Sequence, residues 1–207
     1  MGNINNEAVS KALAVLRSGG VILYPTDTIW GIGCDATDPK AVSRIYEIKK
    51  RSDSKALVLL ASDLDMVCRY VKEIPEMAIQ LVEVNDSPMT IIYPDAICGK
   101  APVEGAEAVA DKHFLAWNVV AEDGTVAIRI PDMDFCKTLI HKLGRPIVST
   151  SANISGEPSP KKYADIPENI RKAVDHIVEP SEEEKSTGQA SQIIKVGLDG
   201  QISIIRG

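Results

Sequence analysis

Residues 146–156 read Pro146-Ile147-Val148-Ser149-Thr150-Ser151-Ala152-Asn153-Ile154-Ser155-Gly156. A short apolar strand runs directly into small polar residues and then a glycine. In extended backbone, side chains two apart point to one side. Ser149, Ser151 and Asn153 would therefore line one face just beyond a buried strand end, where open α/β sheets bind their ligands. Such a row suits an anionic or sugar-bearing ligand. A serine-rich turn is the other reading of the same residues.

Outward from this strand, helical and strand patterns alternate. Asn5 or Asn6 can cap a first helix, with Ala8, Val9, Ala12, Leu13 and Leu16 on one stripe and Gly19-Gly20 at its end. Residues 21–24 read as a buried strand closed by Pro25, and residues 26–37 as turn. Asp38 caps a second helix with Pro39 at its first position. Strands are expected at 56–61, 90–93, 126–130 and 176–178. Helices are expected near 63–71, 75–84, 132–143 and 167–173. Residues 95–113 lack any period and read as a loop, and 181–189 as an exposed acidic loop. Asp199-Gly200 joins strands 192–196 and 201–205 as a hairpin. The pattern predicts one domain over 1–207: a mixed, twisted sheet with helices packed on it and an antiparallel edge.

Composition narrows the function. The chain has 23 Lys and Arg against 29 Asp and Glu, a net charge of −6, and only 4% aromatic residues. Both argue against a protein that mainly wraps nucleic acid or stacks bases. Cys34, Cys68, Cys98 and Cys136 are far apart with no CxxC, which reads as a reducing cytoplasm and not a zinc site. His113, His141 and His176 are scattered too, so no metal site is expected. The apolar run at 21–24 is too short for a signal or a membrane span.

Lys49-Lys50-Arg51, with Lys55 close behind, is the densest basic cluster. On a helix, Lys49 and Arg51 diverge by about 200°. They can face one ligand only if the helix has already ended, which predicts its end near Ile48. A solvated helix terminus is the alternative. Pro25 to Gly33 offers two hydroxyls, a carboxylate and two glycines, and could seat a small polar substrate against Trp30. A lone Gly31-x-Gly33 makes no Walker loop. Arg129, at the end of a buried strand, needs an anionic partner, either a substrate carboxylate or an internal acid. No GxSxG, HExxH or paired-carboxylate pattern is present, so hydrolase readings are weak.

Taken together, these pieces resemble the YrdC-like family, the threonylcarbamoyl-adenylate synthases. The resemblance is carried by GGVILYPTDTIWGIGCDA (19–36), the KxR of Lys49 to Arg51, IRIP (128–131), PIVSTSANISGEPSP (146–160) and the closing IIRG (204–207). It implies an α/β fold of the YrdC/RibB-like type: a twisted, open, mixed sheet with packed helices around a deep basic cavity. It also implies a nucleotidyltransferase reaction. L-threonine, bicarbonate and ATP give threonylcarbamoyl-AMP and pyrophosphate, with Mg2+ carried on the triphosphate. A separate transferase complex would use the product to modify tRNA, any direct tRNA binding being weak.

The resemblance implies roles residue by residue. Lys49, Arg51, Ser151 and Asn153 would serve the reaction. Lys55, Thr125, Ser149, Ser151, Ser159 and Arg206 would bind ATP, and Thr28, Arg129 and Ser191 would hold threonine. Departures from the family pattern are Ser52 and Ala56 in place of prolines, Ser87-Pro88-Met89-Thr90 in place of a tryptophan-proline-glycine wall, and Ser191-Gln192 for a serine-threonine pair. With no further domain to cover the site, 95–113 is the expected closing loop. Two rival readings are an RNA-binding module without chemistry and an enzyme making a carbamoyl adenylate from carbamoyl phosphate.

Overall fold

The computed structural model describes residues 5–51, 57–103 and 107–207. In chain order its elements are α1 (Asn6–Arg17), β1 (Ile22–Tyr24), β2 (Gly31–Gly33), α2 (Pro39–Lys49), β3 (Val58–Leu60), α3 (Leu64–Cys68), α4 (Glu76–Val84), β4 (Met89–Tyr93), β5 (Val126–Arg129), α5 (Asp134–Leu143), β6 (Ile147–Val148), β7 (Thr150–Ser151), α6 (Glu168–Ala173), β8 (His176–Ile177), β9 (Gln192–Val196) and β10 (Ile202–Arg206). Short 3-10 turns sit at Trp117–Val119, Tyr163–Asp165 and Pro180–Lys185.

Local chemistry explains the helix ends. The Asn5 side chain accepts from the Ala8 N–H at 3.2 Å, and Ala8, Val9, Ala12 and Leu16 of α1 are buried. Asp38 accepts from the Lys40 and Ala41 N–H groups at 2.9 and 3.2 Å, with Pro39 opening α2. Such caps satisfy amides that have no partner in the first turn. Gly144, at φ +76, closes α5.

The strands are mixed in direction, as expected, but they divide into two sheets. One has the order β7-β2-β1-β8 and the other β10-β9-β4-β5-β3-β6. In the first, β1 is antiparallel to β2 and parallel to β8. In the second, β4–β9 and β3–β5 are parallel and the other pairs antiparallel, with the β9–β10 hairpin at one edge. The division follows from β2, which the sequence reading placed inside a turn. Glycine has little strand propensity, yet here its bareness is what packing needs. A Cβ on Gly33 would lie 2.4 Å from the Val148 carbonyl oxygen and 2.7 Å from the Tyr24 ring.

The stretch 147–151 belongs to both sheets. Ile147 and Val148 pair with Leu60 and Leu59 in the larger sheet. Thr150 and Ser151 pair with Ile32 and Gly31 in the smaller. Ser149, between them, donates its N–H to the Val58 carbonyl at 2.8 Å. Buried side chains of both sheets and of the helices form one core, with Trp30, Tyr24 and Tyr93 the largest fully buried members. The two sheets part at Ser149, and a hollow opens there.

Candidate active site

That hollow has a volume of about 270 Å³. Its floor is the strand that changes sheets, presenting Ser149, Thr150 and Ser151. Three arginines reach it from three elements: Arg51 just after α2, Arg129 at the end of β5, and Arg206 at the end of β10. No lining residue among those described is Asp or Glu. A chain with a net charge of −6 thus concentrates positive charge in one small cavity. Low-dielectric walls strengthen such a field, and anions are drawn to it.

Arg51 is aimed by the end of α2. The helix runs one residue past the expected Ile48, to Lys49. Lys50 then takes the left-handed conformation (φ 49°, ψ 44°), and the Arg51 N–H returns to the Tyr46 carbonyl at 3.0 Å. A non-glycine residue adopts this backbone at a cost of about 1–2 kcal/mol. The reversal separates the directions of Lys49 and Arg51. Burial pulls the Arg51 guanidinium below its ordinary pKa.

Lys49 does not line the cavity. Its side chain is buried behind the floor, where the ammonium donates to the Ser151 carbonyl, the Asn153 carbonyl at 2.8 Å and Asn153 Oδ1 at 3.2 Å. The Lys49 carbonyl in turn accepts the Ser155 N–H at 2.9 Å. All three ammonium donors are engaged with one loop. Asn153 is likewise buried behind the wall, accepting from Ser151 Oγ and donating to the Glu157 carbonyl. The KxR and SxN residues do converge, but as two layers. Arg51, Ser149 and Ser151 face the hollow, and Lys49 and Asn153 brace it.

Burial, with the nearby Arg51 charge adding to it, lowers the Lys49 pKa to about 8 from 10.5. The unfolded chain therefore holds this proton to higher pH than the folded one. Lys49 makes stability rise with pH between about 8 and 10.5, and contributes no slope below 8. Buried Cys34, Cys136 and Tyr24 act in the opposite direction, since desolvation raises each of them. The informative quantity is the difference between wild type and Lys49→Met. In urea titrations across this range, wild type should gain about 3 kcal/mol on the variant. Parallel curves for the two proteins would exclude a depressed Lys49.

Arg129 meets an internal acid. Its Nη1 pairs with Asp27 Oδ1, and the two side chains are only 4% and 7% exposed. Its Nη2 donates to Thr28 Oγ1 at 3.1 Å. Asp27 Oδ2 also accepts the Asp132 N–H at 3.1 Å. The sequence leaves the anionic partner of Arg129 open between a substrate carboxylate and an internal acid, and Asp27 is such an acid. Thr28 lines the cavity beside Arg129. Ser191 lines it as well, its hydroxyl 2.8 Å from Thr90 Oγ1 and its carbonyl accepting from Arg206 Nε and Nη2 at 3.0 and 2.7 Å. Ser159 is exposed at the rim.

One expected position falls elsewhere. Thr125 immediately precedes β5, about 13 Å along the extended chain from Arg129. Its hydroxyl is used locally on Asp123 Oδ1 at 2.6 Å, and it does not line the cavity. Lys55, with Ser52 and Ala56, lies outside the described residues. The described part of 95–113 contributes nothing to this cavity either. Ala96 and Cys98 are bridged to Val71 and Leu115, away from the floor. The wall comes instead from Ala190 and Ser191, just beyond the 181–189 stretch expected to be an exposed acidic loop.

An open mixed α/β scaffold with arginines and hydroxyls converging where two sheets part defines an anion-binding enzyme-like site. The Sua5/YciO/YrdC family model, described as telomere recombination, matches residues 14–207, and the chain belongs to that family. Threonylcarbamoyl-AMP synthase of Xanthomonas euvesicatoria is 32% identical over 174 residues, covering 83% of this chain and 84% of that one. The Chromohalobacter salexigens protein of the same name is 30% identical, covering 77% and 78%. Among solved structures, P. abyssi Sua5 complexed with L-threonine superposes with a TM-score of 0.77 at 27% identity. The match covers 99% of this chain but 55% of Sua5, so the chain spans about half the length of that relative.

Proposed function

We propose that this protein is an L-threonylcarbamoyl-AMP synthase, joining L-threonine, bicarbonate and ATP into threonylcarbamoyl-AMP with release of pyrophosphate and water. The observation that carries the reading is the meeting of Arg51, Arg129 and Arg206 with the Ser149 and Ser151 hydroxyls in one cavity that has no carboxylate among its described lining residues. Relatives covered over most of their length bear this enzyme's name.

In this reading the threonine amine adds to the bicarbonate carbon, and loss of water leaves a carbamate. A carbamate oxygen then attacks the α-phosphorus of ATP, forming an O–P bond as the bond to pyrophosphate breaks. Such transfer needs positioning and charge neutralisation more than a protein nucleophile. Arg51 and Arg206 neutralise carbamate and phosphate oxygens. Ser149 donates to oxygens of the nucleotide or the reacting carbonyl, Ser151 presents the lone pairs of an oxygen whose proton goes to Asn153 Oδ1, and Ser159 stands at the rim on the ATP side. Arg129, where it lines the cavity, receives the amino acid together with Thr28 and Ser191. Lys49 and Asn153 act one layer back, holding the hydroxyl row in place. The lining is cationic and hydroxylic, so we assign Mg2+ to the triphosphate as part of the substrate. No helix among the described residues is long and apolar enough to cross a membrane. We place the enzyme in the cytoplasm, where a tRNA-modifying transferase would consume the adenylate.

The test is pyrophosphate release with each substrate omitted in turn. Release should need threonine, bicarbonate and ATP together, and carbamoyl phosphate should not replace the first two. Release without threonine, or sustained by carbamoyl phosphate, would overturn the assignment.

A further inference from the structure

The acidic stretch after Glu179 does something its composition hides. Trp30 is fully buried, lines the cavity and has an indole N–H that can only donate. That N–H goes to Glu183 Oε2 at 2.8 Å, and the same oxygen accepts the Tyr163 N–H at 3.1 Å. Bonds to a carboxylate are stronger than neutral ones. The Tyr163 ring packs against Trp30 with centroids 5.2 Å apart, and the Arg171 guanidinium lies 5.5 Å from the Tyr163 centroid. From this anchor the chain runs along the turn 26–28. Ser186 Oγ donates to the Thr26 carbonyl, the Thr187 N–H to Asp27 at 3.0 Å, and the Gly188 N–H to Thr28 at 2.7 Å. It then delivers Ala190 and Ser191 to the cavity wall. Trp30 is also tied to the floor, since its carbonyl accepts the Ala152 N–H at 3.1 Å.

We infer that Glu183 is a positioning residue for the amino-acid end of the cavity, pinning segment 180–191 to Trp30 so that Thr28, Trp30 and Ser191 form one wall. This rests on the synthase reading for its substrate, though not for its geometry. Glu183 touches none of the reacting groups and acts through the indole and the segment it holds. The Ser186, Thr187 and Gly188 bonds fix the segment's far half, and Glu183 fixes its near half.

The chain has two tryptophans. A Trp117→Phe background therefore makes Trp30 the sole reporter, and Trp117 Nε1 has no hydrogen bond to lose. In that background, Glu183→Ala should shift Trp30 emission to the red. It should raise KM for threonine about tenfold, with kcat changing less than about threefold. Glu183→Asp, one methylene short of both donors, should do the same with a urea midpoint close to that of the parent. Glu183→Gln, whose amide oxygen can accept both bonds, should return emission and KM to within about twofold of the parent. Unchanged emission and threonine KM in the Ala and Asp variants would overturn the inference, as would a Gln variant as impaired as Ala. If the parent protein releases no pyrophosphate with threonine, the synthase reading falls, and the emission series alone then decides the pinning role.

Discussion

Arg51→Ala is expected to lower pyrophosphate release by about 10²–10³-fold, the loss typical of removing one preorganised donor to developing charge. The physical reason is the path of the backbone. Lys50 reverses the chain and sends Arg51 into the hollow, and the serine hydroxyls opposite carry no charge of their own. Steady-state turnover, paired with a urea midpoint close to wild type, would establish that the loss is chemical and not structural. Arg51→Lys should recover part of the rate by restoring the charge, but not all of it, because an ammonium lacks the planar fork. Turnover within about twofold of wild type in the alanine variant would remove Arg51 from the reaction.

Arg129→Ala should cost about 3–5 kcal/mol of stability, because it strands the Asp27 carboxylate in the interior without its counter-charge. Both partners are nearly inaccessible, so water cannot screen the loss. The double variant Asp27→Asn, Arg129→Gln separates the two roles of this pair. With no unpaired charge left behind, it should regain most of the urea stability. It should still lack threonine-dependent turnover, since the guanidinium edge facing the cavity is gone. A double variant that turns over normally would show that Arg129 is a structural ion-pair member only.

Much of this was legible in the residues. Asn5, Asp38-Pro39 and Gly144 mark helix ends by chemistry that acts within a few positions, and local signals survive translation into structure. The serine row, the Lys49-to-Arg51 run and Arg129 are readable one segment at a time, as a strand end, a basic cluster and a cation on a buried strand, whereas Arg206 enters only through the family resemblance. What escaped depends on contacts between distant segments. Gly31–Gly33 reads as a turn until Tyr24 and the Val148 carbonyl are seen pressing on it. Glu183 sits among acids in a polar run, and only the buried indole of Trp30, more than a hundred positions earlier, gives it a purpose. Lys49 had the residue type of a ligand clamp, and its brace role shows only in the carbonyls around it. Thr125 was placed by resemblance, and its own turn claims its hydroxyl.

One feature of the architecture bears on how such a site adapts to what it holds. Residues 147–151 exchange hydrogen-bonding partners midway, with Val148 on Cys34 and Ser149 on Val58. Sliding one layer over the other would rupture these links, so the spacing of the hydroxyls is insensitive to breathing of the molecule. Compliance must then reside overhead, in a length of chain held by the Glu183 carboxylate and three bonds to residues 26–28 and not by a strand ladder. Ligands of different bulk would be accommodated from above while the base keeps its dimensions, and selectivity would be tuned by altering the cover and leaving the foundation alone.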